Sequence, residues 1–107
     1  MRFDIVLAPE AVEALQALPA RLRAEVRDAL EAHLRHEPEK VSKSRIKRLR
    51  GMSKPQYRLR VGEVRIFYDV TTQAVEVLAI ISKTAAQAWL EEHGTATEDG
   101  GSGQGEG

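Results

Sequence analysis

Apolar and polar residues alternate over the first seven positions of the chain. Phe3, Ile5 and Leu7 share one side of an extended segment, which predicts a short strand over residues 2–7. The period then lengthens. Pro9 suits the first position of a helix, and Val12, Leu15 and Leu18 form its apolar stripe. Pro19 opens a second, longer helix in which Leu22, Val26, Leu30 and Leu34 recur every four residues. Arg21, Arg23, Glu25, Arg27, Asp28 and Glu31 cover its other faces, as expected of a solvated surface, and Pro38 ends it. The tight joint at Pro19 predicts a helical hairpin.

Strand patterns return after the polar linker around EPEKVSKS. Residues 57–61 and 64–70 are rich in aromatic and β-branched side chains. The run AVEVLAIIS, residues 74–82, is so apolar that both its faces need cover, as in a central strand. A segment near 46–49 adds an edge strand. Residues 84–92 read as a terminal helix with Ala85, Ala88 and Trp89 at helical spacing. The expected architecture is α+β: an N-terminal strand and helical hairpin packed on a small, mainly antiparallel sheet, closed by a short C-terminal helix. The domain is expected to span 1–94. Residues 95–107 hold five glycines in their last eight positions and no large apolar side chain, which predicts a disordered tail.

The segment QYRLRVGEVRIFYDV places two strand patterns around Gly62-Glu63. A two-residue loop with Gly first suits a type II′ turn, and such a turn dictates the register. Val61 then opposes Val64, Arg60 opposes Arg65, Leu59 opposes Ile66, Arg58 opposes Phe67 and Tyr57 opposes Tyr68. Leu59, Val61, Val64, Ile66, Tyr57 and Tyr68 fall on the core face, and Arg58, Arg60 and Arg65 on the other.

Charge changes the picture. The chain is formally neutral, with 16 basic and 16 acidic residues. Between Lys40 and Arg65, however, ten Lys or Arg face a single acid, Glu63. Such polarisation points to an anionic partner. Like charges directly opposite one another destabilise a sheet, so Arg60 and Arg65 either find an acid such as Asp69 or converge on a bound anion such as a phosphate. Phe67, on the same face, either stacks on a base or packs under the terminal helix. With no cysteine, a disulfide framework, a thiol nucleophile and a Cys-ligated metal are excluded. His33 and His36 lie three apart but lack an accompanying constellation of carboxylates and histidines, so no metal is expected. The N-terminus shows no apolar run of signal-peptide length, and no stretch is long and apolar enough for a membrane span, so a cytoplasmic protein without membrane contact is expected.

The order of strand, helical hairpin, Leu49-Arg50-Gly51, YRLRVG, VRIFYDV and VEVLAI resembles the RelE/ParE superfamily of type II toxins over residues 2–92. The resemblance implies the same fold, a cognate antitoxin, and, for RelE-like members, ribosome-dependent endoribonuclease activity that cuts mRNA in the decoding site without metal or cofactor. Carried over by position, Arg65 and Arg60 would stabilise the scissile phosphate and Arg58 would position the backbone. Active members commonly carry an Arg just past the last strand and a Tyr one or two turns later. Here Lys83 is the basic group at that place, and Trp89 and Leu90 stand where the Tyr would follow. Lys83 either serves as acid or base or simply reaches solvent. Lys47, Arg48, Arg50 and Lys54 form a basic apron suited to mRNA or ribosomal RNA. A ParE-like gyrase poison and an inactive antitoxin-binding module are the alternatives that the same resemblance leaves open.

Overall fold

The computed structural model describes residues 1–97; most of the glycine-rich tail predicted from the sequence lies outside them. β1 (Asp4–Leu7) leads into α1 (Pro9–Ala17) and α2 (Ala20–Leu34). Then come β2 (Ile46–Arg48), β3 (Met52–Lys54), β4 (Tyr57–Val61), β5 (Val64–Val70) and β6 (Ala74–Ser82). A 3₁₀ turn (Lys83–Ala85), α3 (Ala86–His93) and β7 (Thr95–Ala96) complete the order. Five strands form one sheet in the order β1-β6-β5-β4-β2. β1 runs parallel to β6, and the other neighbours are antiparallel. The α+β architecture is the predicted one. β1 begins at Asp4 rather than Arg2 because the Phe3 N–H is taken by the Arg35 carbonyl, 2.8 Å away at the end of α2.

α1 and α2 cover one face of the sheet. Val26, Leu30 and Leu34 are buried as their spacing predicts, with Leu22 half-buried. The stripe of α1 is rotated from the predicted one: Ala11 and Leu15 are buried, while Val12 is exposed. The small Ala11 side chain lets α1 settle on β6, a contact that hydrophobic size alone does not reveal. Arg23, expected on the solvated face, is half-buried and donates through Nη2 to the Leu18 carbonyl at 3.0 Å, closing the open end of α1.

The hairpin register of β4 and β5 is the predicted one at all five pairs, from Tyr57↔Tyr68 to Val61↔Val64. Gly62 carries φ 57°, the left-handed value that the first position of a type II′ turn demands. β6 is covered on both faces for a reason absent from its composition. Phe67 pairs with Ala79 and Tyr68 with Val77, so Leu78 is an extra residue that reverses the alternation. Val75, Val77 and Ile80 therefore join the main core, whereas Ala79 is buried beside Phe67 on the opposite face. α3 covers that face, with the Trp89 ring stacked on Phe67 at 5.2 Å and 5°. Ala86, Trp89 and Leu90 are its half-buried residues; Ala85 and Ala88, predicted to pack, are exposed because the helix begins two residues later than expected.

Thr95 and Ala96, assigned to the tail for want of a large apolar side chain, pair with β3, and the Thr97 N–H donates to the Gly51 carbonyl at 2.9 Å. Backbone pairing needs no large side chain, so this two-stranded ribbon carries no hydrophobic signature.

Candidate functional site

The antiparallel registers lay cationic residues across the sheet in rows. Lys47 of β2 lies opposite Arg58 of β4, which lies opposite Phe67 of β5. Two residues along, on the same face, Arg60 lies opposite Arg65, as predicted. The first row opens into a cleft of about 200 Å³ beside α3. Lys47, Arg58 and Arg65 supply its polar wall, Phe67 its floor, and Ala86, Gln87 and Leu90 the helix side.

Arg65 is only 8% exposed, and its Nη1 donates to the carbonyls of Gly62 at 2.8 Å and Val64 at 3.1 Å. The turn thus braces the guanidinium. Arg58 is half-buried, and its Nε is covered from solvent without a hydrogen-bond partner. Burial, followed by the charges of Arg65 and Arg60, pulls its pKa below the usual arginine value. Among the described residues, neither these three arginines nor Lys47 forms an ion pair. Asp69, the acid that the sequence offered as a partner, is engaged elsewhere. Its Oδ1 accepts the Gln56 N–H at 2.8 Å, and Gln56 Oε1 in turn accepts the Val70 N–H at 2.9 Å. Burial holds the Asp69 carboxyl above its usual range. The remaining ambiguity, Phe67, is resolved towards packing: it is 1% exposed beneath Trp89 and offers no face to a base.

The other predicted residues separate. Arg60 is exposed at the rim, close enough for its charge to act on Arg58, and lines a neighbouring groove instead of the cleft. Lys83 is exposed at the start of the 3₁₀ turn, with its backbone N–H on the Glu63 carbonyl at 2.7 Å, and it does not line the cleft. Arg48 serves the fold: its Nη1 donates to the Leu49 and Gln56 carbonyls at 2.9 and 2.8 Å, and its guanidinium lies 5.3 Å from the Tyr57 ring centre. Arg50 and Lys54 are exposed, and Arg50 joins Lys47 on a larger groove of about 430 Å³ next to the cleft. Lys47 therefore belongs to the cleft itself, a placement that only the β2–β4 register shows. Gln87 was not recognised from the sequence, where a lone Gln on a short helix carries no signal.

His33 accepts from Arg45: Arg45 Nη1 lies 2.9 Å from His33 Nε2, which fixes the neutral ring with its proton on Nδ1. His36 Nδ1 instead lies 3.2 Å from the Met1 carbonyl. Burial, and then the charge of Arg45, lowers the His33 pKa. Because the folded value lies below the unfolded one, stability is complete above about pH 6.5 and declines as the pH falls beneath it. Thermal melts between pH 7.5 and 5 will show this loss, and His33→Gln will flatten the curve.

The cleft thus gathers two guanidinium groups and one amine on a surface without a carboxylate, an arrangement chemically suited to an anion. The chain belongs to the ParE toxin family of type II toxin–antitoxin systems, which it matches over residues 5–87. Among solved structures, it is similar to the toxin–antitoxin complex RelBE2 from Mycobacterium tuberculosis. The identity is 24% and the TM-score 0.63, over 77% of this chain and 99% of the other. It is also similar to the archaeal RelE–RelB complex from Pyrococcus horikoshii OT3, at 29% identity and TM-score 0.56, over 78% and 97%. The YoeB dimer from Staphylococcus aureus shares the fold at 18% identity and TM-score 0.58, over 76% and 97%. No curated protein matches the chain. Among the described residues, no helix is long and apolar enough to cross a membrane.

Proposed function

We propose that this toxin is a ribosome-dependent endoribonuclease of the cytoplasm, cutting mRNA by attack of a ribose 2′-OH on the adjacent phosphate and releasing the 5′-oxygen of the next nucleotide. One observation carries this reading: Arg58, with a covered and unpartnered Nε, stands beside the braced Arg65 in a cleft whose wall holds no acid. That arrangement suits the charge that grows on the phosphoryl oxygens in the transition state. Arg65 and Arg58 hold those oxygens, and Arg60 at the rim holds the scissile phosphate as it enters. Proton transfer falls to an amine. Lys47 lines the cleft, and Lys83 stands at the end of β6, where the family resemblance puts a basic group. Arg50 and Lys54 extend the basic surface towards ribosomal RNA. A cognate antitoxin of acidic character would neutralise the toxin by covering this face.

The test is a cell-free translation reaction with a reporter mRNA. New 5′-hydroxyl ends that appear only when ribosomes are present are expected. An intact message at high toxin concentration overturns the proposal. A second reading, inhibition of DNA gyrase through protein contact, draws on the ParE identity of the family and on the position of Lys83 outside the cleft. Loss of supercoiling by purified gyrase, with translation unaffected, would select it.

A further inference from the structure

Arg60 does not line the cleft of Arg58 and Arg65. It lines a separate groove of about 350 Å³ together with Ser44, Arg45, Gly62 and, from α2, Ala29. Arg45 immediately precedes β2, and continuing the Ile46↔Leu59 register places it beside Arg60; the Arg60 N–H donates to the Arg45 carbonyl at 2.9 Å. The loop that carries Arg45 is built rather than loose. Ser42 Oγ accepts the N–H groups of Arg45 and Ile46 at 3.0 and 3.2 Å, and the Ser42 N–H returns to the Ile46 carbonyl at 3.0 Å. His33 on α2 then holds one amino group of the Arg45 guanidinium. Among the described residues, neither Arg45 nor Arg60 has a carboxylate partner. The small Ala29 side chain on the helix side leaves the groove open.

We infer that this groove is a second phosphate subsite, in which Arg45, with Arg60 and the Ser44 hydroxyl, holds the backbone of a single-stranded RNA next to the scissile nucleotide. The inference rests on the endoribonuclease reading and extends it. Arg60 is the shared residue: its strand neighbour Arg58 lies in the cleft, and its cross-sheet neighbour Arg45 lies in the groove. Two residues along a strand separate like-facing side chains by about 7 Å, so adjacent anionic groups of one extended chain can meet both places. A chain with a regular phosphate repeat fits that spacing without needing base-specific contacts. Arg45 is then a positioning residue, acting on the strand and not on the reacting atoms.

The experiment measures binding of fluorescent oligoribonucleotides, from two to ten residues long, by the purified full-length toxin over a range of salt concentrations. For wild type, affinity should rise when the oligonucleotide becomes long enough to reach both places. Arg45→Ala should lose about tenfold in affinity for the longer oligonucleotides, keep its affinity for the dinucleotide, and show a salt slope smaller by about 0.7. Ser44→Asp, which puts a carboxylate into the groove and leaves the Arg45 residue itself unchanged, should weaken the longer oligonucleotides in the same way. If both variants bind every oligonucleotide like wild type while Arg58→Met does not, the subsite is wrong and the endoribonuclease reading stands. If wild type binds no oligoribonucleotide of any length, the second subsite is overturned, while the endoribonuclease reading is decided by cleavage in the translation reaction. If poly-glutamate, titrated in parallel, is the only probe whose binding the two variants lose, the groove is a receptor for an acidic protein segment and the inference falls.

Discussion

An Arg58→Met variant is expected to cleave ribosome-associated mRNA about 10²–10³-fold more slowly than wild type while melting at the same temperature or higher. The two effects have opposite signs because the same feature causes both. In the free protein, the Arg58 guanidinium is half-buried, its Nε has no partner, and Arg65 and Arg60 repel it. A methionine fills much of the same space without a charge, so the folded state loses an uncompensated burial cost. With substrate bound, the phosphate supplies a counter-charge for the guanidinium, and the variant has nothing to offer it. A purely structural arginine would behave differently: its loss would lower Tm and leave cleavage per folded molecule unchanged. Differential scanning calorimetry beside single-turnover cleavage separates the cases. Arg65 is a poorer probe, because its Nη1 also braces the Gly62 and Val64 carbonyls and its removal disturbs the turn.

The second large effect lies beneath the cleft. Phe67→Ala should cost about 3–5 kcal/mol, the usual range for emptying a buried aromatic site. In a domain of this size that is a fall in Tm of more than about 10 °C. Phe67 is 1% exposed, and α3 has no fully buried residue of its own, so the stack of Trp89 on Phe67 is its main anchor. Trp89 is the sole tryptophan, which makes the outcome optically visible. Its emission should move to longer wavelength in Phe67→Ala as α3 loosens from the sheet, even below the melting transition. Trp89→Ala should cost less than Phe67→Ala, since the indole is half-exposed while the sheet keeps the whole of its α1 and α2 core. An unchanged Trp89 spectrum in Phe67→Ala would show that α3 is held by something other than this stack.

The elements most legible in the sequence were those governed by local rules. The Gly62-Glu63 loop admits few backbone solutions, and a two-residue turn leaves one register, so the facing of Arg60 and Arg65 could be written down before any tertiary contact was known. The four-residue recurrence in α2 likewise marked its buried stripe. The errors fell where the partner is distant in sequence. Val12 outranks Ala11 in hydrophobicity, but closeness to β6 decides which is buried. Arg48 looked like one more cation of the apron, and the carbonyls it satisfies belong to a loop whose shape its neighbours do not reveal.

For the site, the sequence by itself determined the charge and its facing: three arginines on one side of a hairpin, with Asp69 on the same face as the acid they could find. Those are consequences of alternation and a tight turn, which act over a few residues. Only the tertiary structure decided what each arginine does. The β2–β4 pairing brought Lys47 to Arg58, α3 turned one half of the face into a walled cleft, and the approach of α2 turned the other half into the Arg45–Arg60 groove. Asp69 was withdrawn to Gln56, and Phe67 was withdrawn beneath Trp89. Burial, and with it the cost of an unpaired charge, is set by whatever packs on top, and no local pattern carries that information.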